Sequence, residues 1–206
     1  MTARGRSLFF PAAIIAATAA IIASFITVRE RGQHEEPLPR LGGVPAFIVY
    51  DQTGAPFPSS RLDGSVWLAD FFFTRCQGLC PVLTDRMHDM QDKLAGKTGW
   101  FLVSITVDPA HDPPGALEQY AKEHGAKTDR WVFLTAEEPS IRALVTQGFH
   151  LAVEKDSTNV AEPLLHSQSI ALVDRGGEIR GYYNATDDKA MKTLLRDAKR
   201  LLAEPA

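Results

Sequence analysis

At 206 residues, 45% of them hydrophobic, and with a formal net charge of −3, the chain is long enough to bury a core and too nearly neutral to favour polyanions. No basic stripe with interleaved aromatics alters that, so nucleic acid is not an expected partner. Two cysteines are too few for a fold stapled by disulfides.

The first element is Leu8–Val28, an uncharged run dominated by Ala, Ile and Phe. At ~1.5 Å per residue it reaches about 31 Å, the thickness of a bilayer's hydrocarbon core, and predicts one transmembrane helix. Arg4 and Arg6 in the short tail before it keep the N-terminus cytoplasmic and send everything after Arg29 across. Ala17-Thr18-Ala19 resembles a signal-peptide cleavage site. A cut there leaves Ala20–Val28 as an exposed apolar tail, which favours an uncleaved anchor, and the tail is too short for a mitochondrial presequence. The address expected is a bacterial plasma membrane, crossed once, with the bulk of the chain on the extracytoplasmic, periplasmic side. Three segments follow: tail and anchor over 1–28, a polar, proline-bearing tether over 29–41, and one domain over 42–206.

Within the domain, Ala46–Tyr50 reads as a strand ending in the turn Asp51-Gln52-Thr53-Gly54, and the apolar run Val66–Phe73 as a buried strand. Pro81–Leu94 places Val82, Leu83, Met87, Met90 and Leu94 at helical spacing, with Gly96 near its end. Trp100–Val107 is another buried strand, Pro113–His124 a helix closed by Gly125, Trp131–Leu134 a short strand and Pro139–Thr146 a helix. Ser167–Val173 and Glu178–Tyr183 form a hairpin about Arg175-Gly176-Gly177, and Asp187–Leu202 is a last amphipathic helix. Two strand-helix-strand units before a hairpin and a helix predict an α/β fold: a thioredoxin-like mixed sheet flanked by helices, with the N-terminal transmembrane helix ahead of it.

Cys76 and Cys80 stand at the junction of the Val66–Phe73 strand and the Pro81–Leu94 helix. Positions i and i+4 share one face of a first helical turn, so the thiols can close into a short-loop disulfide or onto a soft metal ion. Burial as small hydrophobes is the plain alternative. Against it, such junctions expose side chains, and helix N-termini lower thiol pKa values. Asp108, in Asp108-Pro109, leaves the end of the Trp100 strand and so shares a sheet edge with the cysteines. His166 follows the irregular stretch Lys155–Leu165; spacing does not fix its place, and a loop histidine is more often solvated than a ligand. Folded over the cysteines, it would complete a three-coordinate site suited to copper, because thiolates select Cu(I) and imidazole tolerates Cu(II).

Other candidates have plainer readings. Met87 and Met90 fit the apolar stripe of their helix better than a second soft site with His88. His111 lies near the site's edge, while His34, His124 and His150 read as surface or capping residues. Tyr182-Tyr183 reads as strand packing with a wet tip. No C-x-x-C, Ser/His/Asp triad or phosphate loop is present.

Three segments together resemble the Sco/SenC family: Trp67 through Pro81 with its C-x-x-x-C, Ser104 through Pro109 with Asp112-Pro113, and Leu165-His166-Ser167 leading into Ala171-Leu172-Val173-Asp174. The family comprises membrane-tethered, copper-binding proteins that assist assembly of the binuclear copper centre of cytochrome c oxidase. The resemblance implies that Cys76, Cys80 and His166 are metal ligands for a copper ion and that Asp108 stands beside the pocket or faces a partner. It implies the copper-centre subunit of the oxidase as partner, with other copper chaperones or thiol oxidoreductases as further ones. Arg75-Cys76-Gln77 departs from the His-Cys-Pro of many members; a cation beside Cys76 favours its thiolate and leaves the ligand set intact. Two functions remain: a copper metallochaperone, and a thiol-disulfide oxidoreductase in which Cys76 and Cys80 act as a redox-active catalytic pair.

Overall fold

The structure, a computed structural model, describes residues 36–151 and 168–205. The span read at Leu8–Val28, His34, the stretch Lys155–Leu165 and His166 lie outside the described residues. Among the described residues no helix is long and apolar enough to cross a membrane.

A seven-stranded sheet organises the body from Leu38 onward. Its strands are β1 (Ile48–Asp51), β2 (Pro56–Pro58), β3 (Val66–Phe72), β4 (Trp100–Thr106), β5 (Trp131–Thr135), β6 (Ser169–Val173) and β7 (Ile179–Asn184), in spatial order β2-β1-β5-β4-β3-β6-β7. β3, β4 and β5 are parallel, while the four outer strands run antiparallel to their neighbours. The helices are α1 (Cys80–Leu94), α2 (Pro114–Glu123), α3 (Glu138–Ala143) and α4 (Asp188–Ala203). This is the thioredoxin-like mixed sheet flanked by helices that the element order predicts.

β3 shows why the sheet is covered on both faces. Every residue from Val66 to Phe72 is buried, as expected of a strand between a parallel and an antiparallel neighbour with helices above and below. Its side chains alternate: Leu68 and Phe72 join α1, α2 and α4 in one core, whereas Trp67, Ala69 and Phe71 join α3 in the other. Met87 and Met90 are 0% and 1% exposed in the first core, so the packing reading of these methionines is the correct one.

Some local features differ from the sequence reading. β2 is a strand of three residues, two of them prolines, and it is tolerated because it lies at the sheet's edge with Phe57 alone buried between them. α3 does not stop but widens into a π-helical turn, Leu144–Gly148. The Tyr182 and Tyr183 hydroxyls are not wet: they donate to the Phe149 carbonyl at 2.5 Å and to Asp197 at 2.8 Å. After α1 the left-handed glycine is Gly99, at φ 72°, rather than Gly96, while two other glycine turns are as read. Gly125 ends α2 at φ 66° and Gly177 turns the β6–β7 hairpin at φ 79°, backbone conformations that favour glycine.

Leu38–Leu41, read from composition as the end of a tether, are fastened to the body. The buried Arg180 guanidinium donates to the Leu38 carbonyl at 2.7 Å, the Pro39 carbonyl at 2.8 Å and Asp174 at 2.7 Å. The Leu41 N–H donates to the Ile179 carbonyl at 2.9 Å.

Candidate metal centre

β3 and β4 stay in register to their ends, Phe72 opposite Thr106, and the Val107 N–H donates to the Phe72 carbonyl at 2.9 Å. The loops that follow them are therefore neighbours at the C-terminal edge of the sheet, where open α/β folds build their sites. One loop carries Cys76 and runs into Cys80, the first residue of α1; the other carries Asp108, His111 and Asp112. The sequence reading of a shared edge for the cysteines and Asp108 holds.

Both thiols are free. The Cys80 N–H donates to Cys76 Sγ at 3.4 Å, so the two residues meet across the first turn as i and i+4 positions should. Cys76 is 8% exposed and Cys80 1%, which makes Cys76 the outer thiol. Cys80 is held from below: the Thr84 hydroxyl donates to its carbonyl at 2.9 Å and lies 2.7 Å from the Tyr120 hydroxyl, itself packed on Phe72.

The electrostatics of the inner thiol run opposite to the sequence expectation. Burial pushes the Cys80 thiol well above its ordinary range, and its contact with Cys76 and the negative charge of Asp70 push the same way. The α1 N-terminus lowers thiol pKa values where water can reach them; beneath the first turn, desolvation outweighs it. The Arg75 guanidinium beside Cys76 in sequence is engaged by Asp108 at 2.7 Å.

Asp108 is a paired acid rather than an open one. It accepts from Arg75 at 2.7 Å and meets His111 Nδ1 at 2.8 Å. Burial works to raise its pKa, but these two hydrogen bonds and the neighbouring charges hold the carboxyl below the usual range. The buried Asp112 carboxylate receives donors from Thr74 in the first loop and from Thr106 at the end of β4.

Asp70 was missed by sequence reasoning. It lies on β3 between Leu68 and Phe72, on the face that carries both cysteines, and is 1% exposed. The Trp131 indole donates to Ser104 Oγ at 2.9 Å, and the Ser104 hydroxyl donates to Asp70 Oδ1 at 2.5 Å. Among the described residues its Oδ2 has no hydrogen-bond partner. Burial pushes its pKa up to about 7, against the lowering by Ser104. The available signal was a lone acid inside an otherwise apolar run.

The arrangement can therefore do two things: bring two sulfurs to one soft cation, or join them in a disulfide. Among the described residues no three His, Cys, Asp or Glu side chains gather in metal-binding geometry. His166, the third ligand read from the resemblance, lies outside those residues.

Known proteins share this build. The SCO1/SenC family profile matches residues 37–203. The SCO1 protein homolog of Bacillus subtilis is 32% identical over 184 residues, 88% of this chain and 93% of that protein. A Stutzerimonas stutzeri protein, whose name gives copper binding provisionally, is 30% identical over 150 residues, 72% of each chain. The structure of BsSco, described as having a disulfide switch and as a member of the Sco family of cytochrome c oxidase assembly proteins, aligns with a TM-score of 0.71 at 29% identity, over 82% of this chain and 100% of that one. A match that runs from the fastened strap to the end of α4, on a sheet whose edge presents the cysteine pair, places this chain in the SCO1/SenC family.

Proposed function

We propose that the protein is a membrane-anchored copper metallochaperone that assists assembly of the binuclear copper centre of cytochrome c oxidase. The observation that carries this reading is the pair of free thiols at the C-terminal edge of the sheet, Cys80 N–H on Cys76 Sγ at 3.4 Å, in a chain of this family. Thiolates at this spacing suit Cu(I). The names of the relatives point the same way, toward copper and toward oxidase assembly.

His166 is the third ligand in this proposal. β6 runs antiparallel to β3, with Ala171 opposite Ala69, so its first residue, Ser169, starts at the cysteine edge. His166 precedes it by three residues, a chain length of at most about 10 Å, so the chain enters β6 beside the cysteine edge. Leu8–Val28 is the anchor, the leash lies in 29–37 ahead of the fastened strap, and the copper site faces the extracytoplasmic side of a bacterial plasma membrane.

The second reading is a thiol-disulfide oxidoreductase that reduces the cysteines of the oxidase's copper subunit. The exposure difference between Cys76 and Cys80 favours it: an outer thiolate attacks the partner disulfide and the inner thiol then displaces the partner's sulfur. One experiment tests both. Copper is titrated into the reduced wild-type protein and into Cys76→Ser, Cys80→Ser and His166→Ala, and oxidase assembly is scored in cells. The chaperone reading expects one copper per chain, lost in the cysteine variants and weakened in His166→Ala, with assembly failing in all three. Assembly that survives His166→Ala but fails with Cys76→Ser gives the oxidoreductase reading instead, and unchanged copper binding in the cysteine variants sinks the chaperone.

A further inference from the structure

Asp112 is the most constrained acid at the site's edge. It is 0% exposed; its Oδ2 accepts from the Thr74 N–H at 3.1 Å and the Thr106 hydroxyl at 2.5 Å, and its Oδ1 accepts from the Thr74 hydroxyl at 2.5 Å. Thr106 is the last residue of β4, and Thr74 stands two residues before Cys76. The Thr106 oxygen in turn receives the Asp108 N–H at 3.0 Å. A carboxylate only accepts, so these contacts all draw the two loops inward on one buried point, and charge-assisted bonds sheltered from water are the strong kind.

The outer tie between the same loops is of another character. Arg75 reaches Asp108 with its own side chain 57% exposed, where water and salt compete for the guanidinium. The inner thiol has separate support, since Cys80 is set by α1 and by Thr84. Cys76 has no such side-chain tie beneath it: its N–H reaches the Phe73 carbonyl at 3.2 Å, its sulfur accepts from Cys80 and packs at the margin of the core, and the backbone leading into it is pinned at Thr74.

We infer that Asp112 is the positioning residue of the copper site: by fixing Thr74 against the end of β4, it holds Cys76 at the separation from Cys80 that a shared copper ion needs. The inference rests on the copper reading of the thiol pair and deepens it, assigning control of ligand geometry to this fully buried acid rather than to the half-buried, ion-paired Asp108.

The test compares full-length Asp112→Ala, Asp112→Asn and Thr74→Val with wild type. Three readouts are taken: the sulfur-to-copper charge-transfer spectrum, copper affinity by competition, and the rate at which a thiol reagent modifies the metal-free cysteines. Asp112→Ala should change the spectrum and bind copper roughly 10-fold to 100-fold more weakly, the range seen when groups that orient metal ligands are removed. Its thiols should react faster. Asp112→Asn should recover most of both properties, because its amide oxygen can take the Thr74 N–H and the Thr106 hydroxyl while its NH₂ meets Thr74 Oγ1. A folded Asp112→Ala protein with the wild-type spectrum and affinity overturns the inference. Should Asp112→Ala fail to fold, Thr74→Val removes one donor and leaves the carboxylate, and an unaltered spectrum there overturns it equally. If wild type binds no copper the metallochaperone reading falls separately, and equal thiol reaction rates in wild type and Asp112→Ala then overturn the clamp as well.

Discussion

Asp70 is the residue whose chemistry is least comfortable: a carboxyl in an apolar core, one oxygen on Ser104 and the other without a partner among the described residues. Its pKa, raised by burial from 3.8 to about 7, means that the native chain holds this proton more tightly than the unfolded chain does. The stability it contributes is therefore fully present below about pH 4 and lost as pH rises toward 7, with a ceiling of about 4 kcal/mol. Asp70→Asn keeps an acceptor for Ser104 and removes the ionisation. Urea unfolding at about pH 4 and about pH 8 should find the variant gaining on wild type as pH rises, by up to that ceiling; an equal gap at both pH values would remove Asp70 as the cause. The contrast with the cysteines explains what was legible. Cys76 and Cys80 stand out because they are the chain's only two and straddle a strand-helix junction, whereas Asp70 is absorbed into an apolar run and Asp112 reads as an ordinary loop acid beside a proline. Burial of a polar group depends on what packs over it, and that is a tertiary fact.

Elements were legible where periodicity is strong. β3 and β4 are continuous apolar runs and α1 repeats its apolar residues at helical spacing, so the edge that carries the site could be placed before any coordinates. β2 could not, because a Pro-Phe-Pro segment becomes a strand only by adding to an existing edge. The π-helical continuation of α3 likewise has no local signal. At the last helix, α4, the cap was readable: Asp187 precedes the amphipathic run, and its carboxylate accepts from the Lys189 N–H at 2.7 Å. Removing that acceptor in Asp187→Ala should cost about 1 kcal/mol, since the first-turn amide loses its partner. Denaturant unfolding measures it, and a variant as stable as wild type would show the cap to be idle. α4 packs Met191, Leu194, Ala198 and Leu201 against the cysteine-bearing core, so frayed packing there reaches the site's foundation.

For the molecule as a whole, the strap at Leu38–Leu41 alters where a soluble form should begin. A chain starting at Gly42 deprives the buried Arg180 of the Leu38 and Pro39 carbonyls, leaving Asp174 as its remaining partner of the three. It should unfold more easily than a chain starting at Glu36, by on the order of 2 kcal/mol, with equal stability of the two forms as the contrary result. Confinement is the second whole-molecule question. On the proposed function, an anchor at Leu8–Val28 raises the effective concentration of the cysteine edge at a membrane-bound partner, so the form starting at Glu36 should bind copper normally yet support oxidase assembly poorly at low, matched expression. Assembly equal to that of the anchored protein would show that the leash contributes nothing. The central claim is that the two thiols and one histidine hold a single copper ion. X-ray absorption at the copper edge of the stoichiometrically loaded, full-length protein reads that ligand set directly. The account predicts sulfur from both Cys76 and Cys80 with one imidazole that disappears in His166→Ala; a copper site built of nitrogen and oxygen, with no sulfur neighbour, would contradict it.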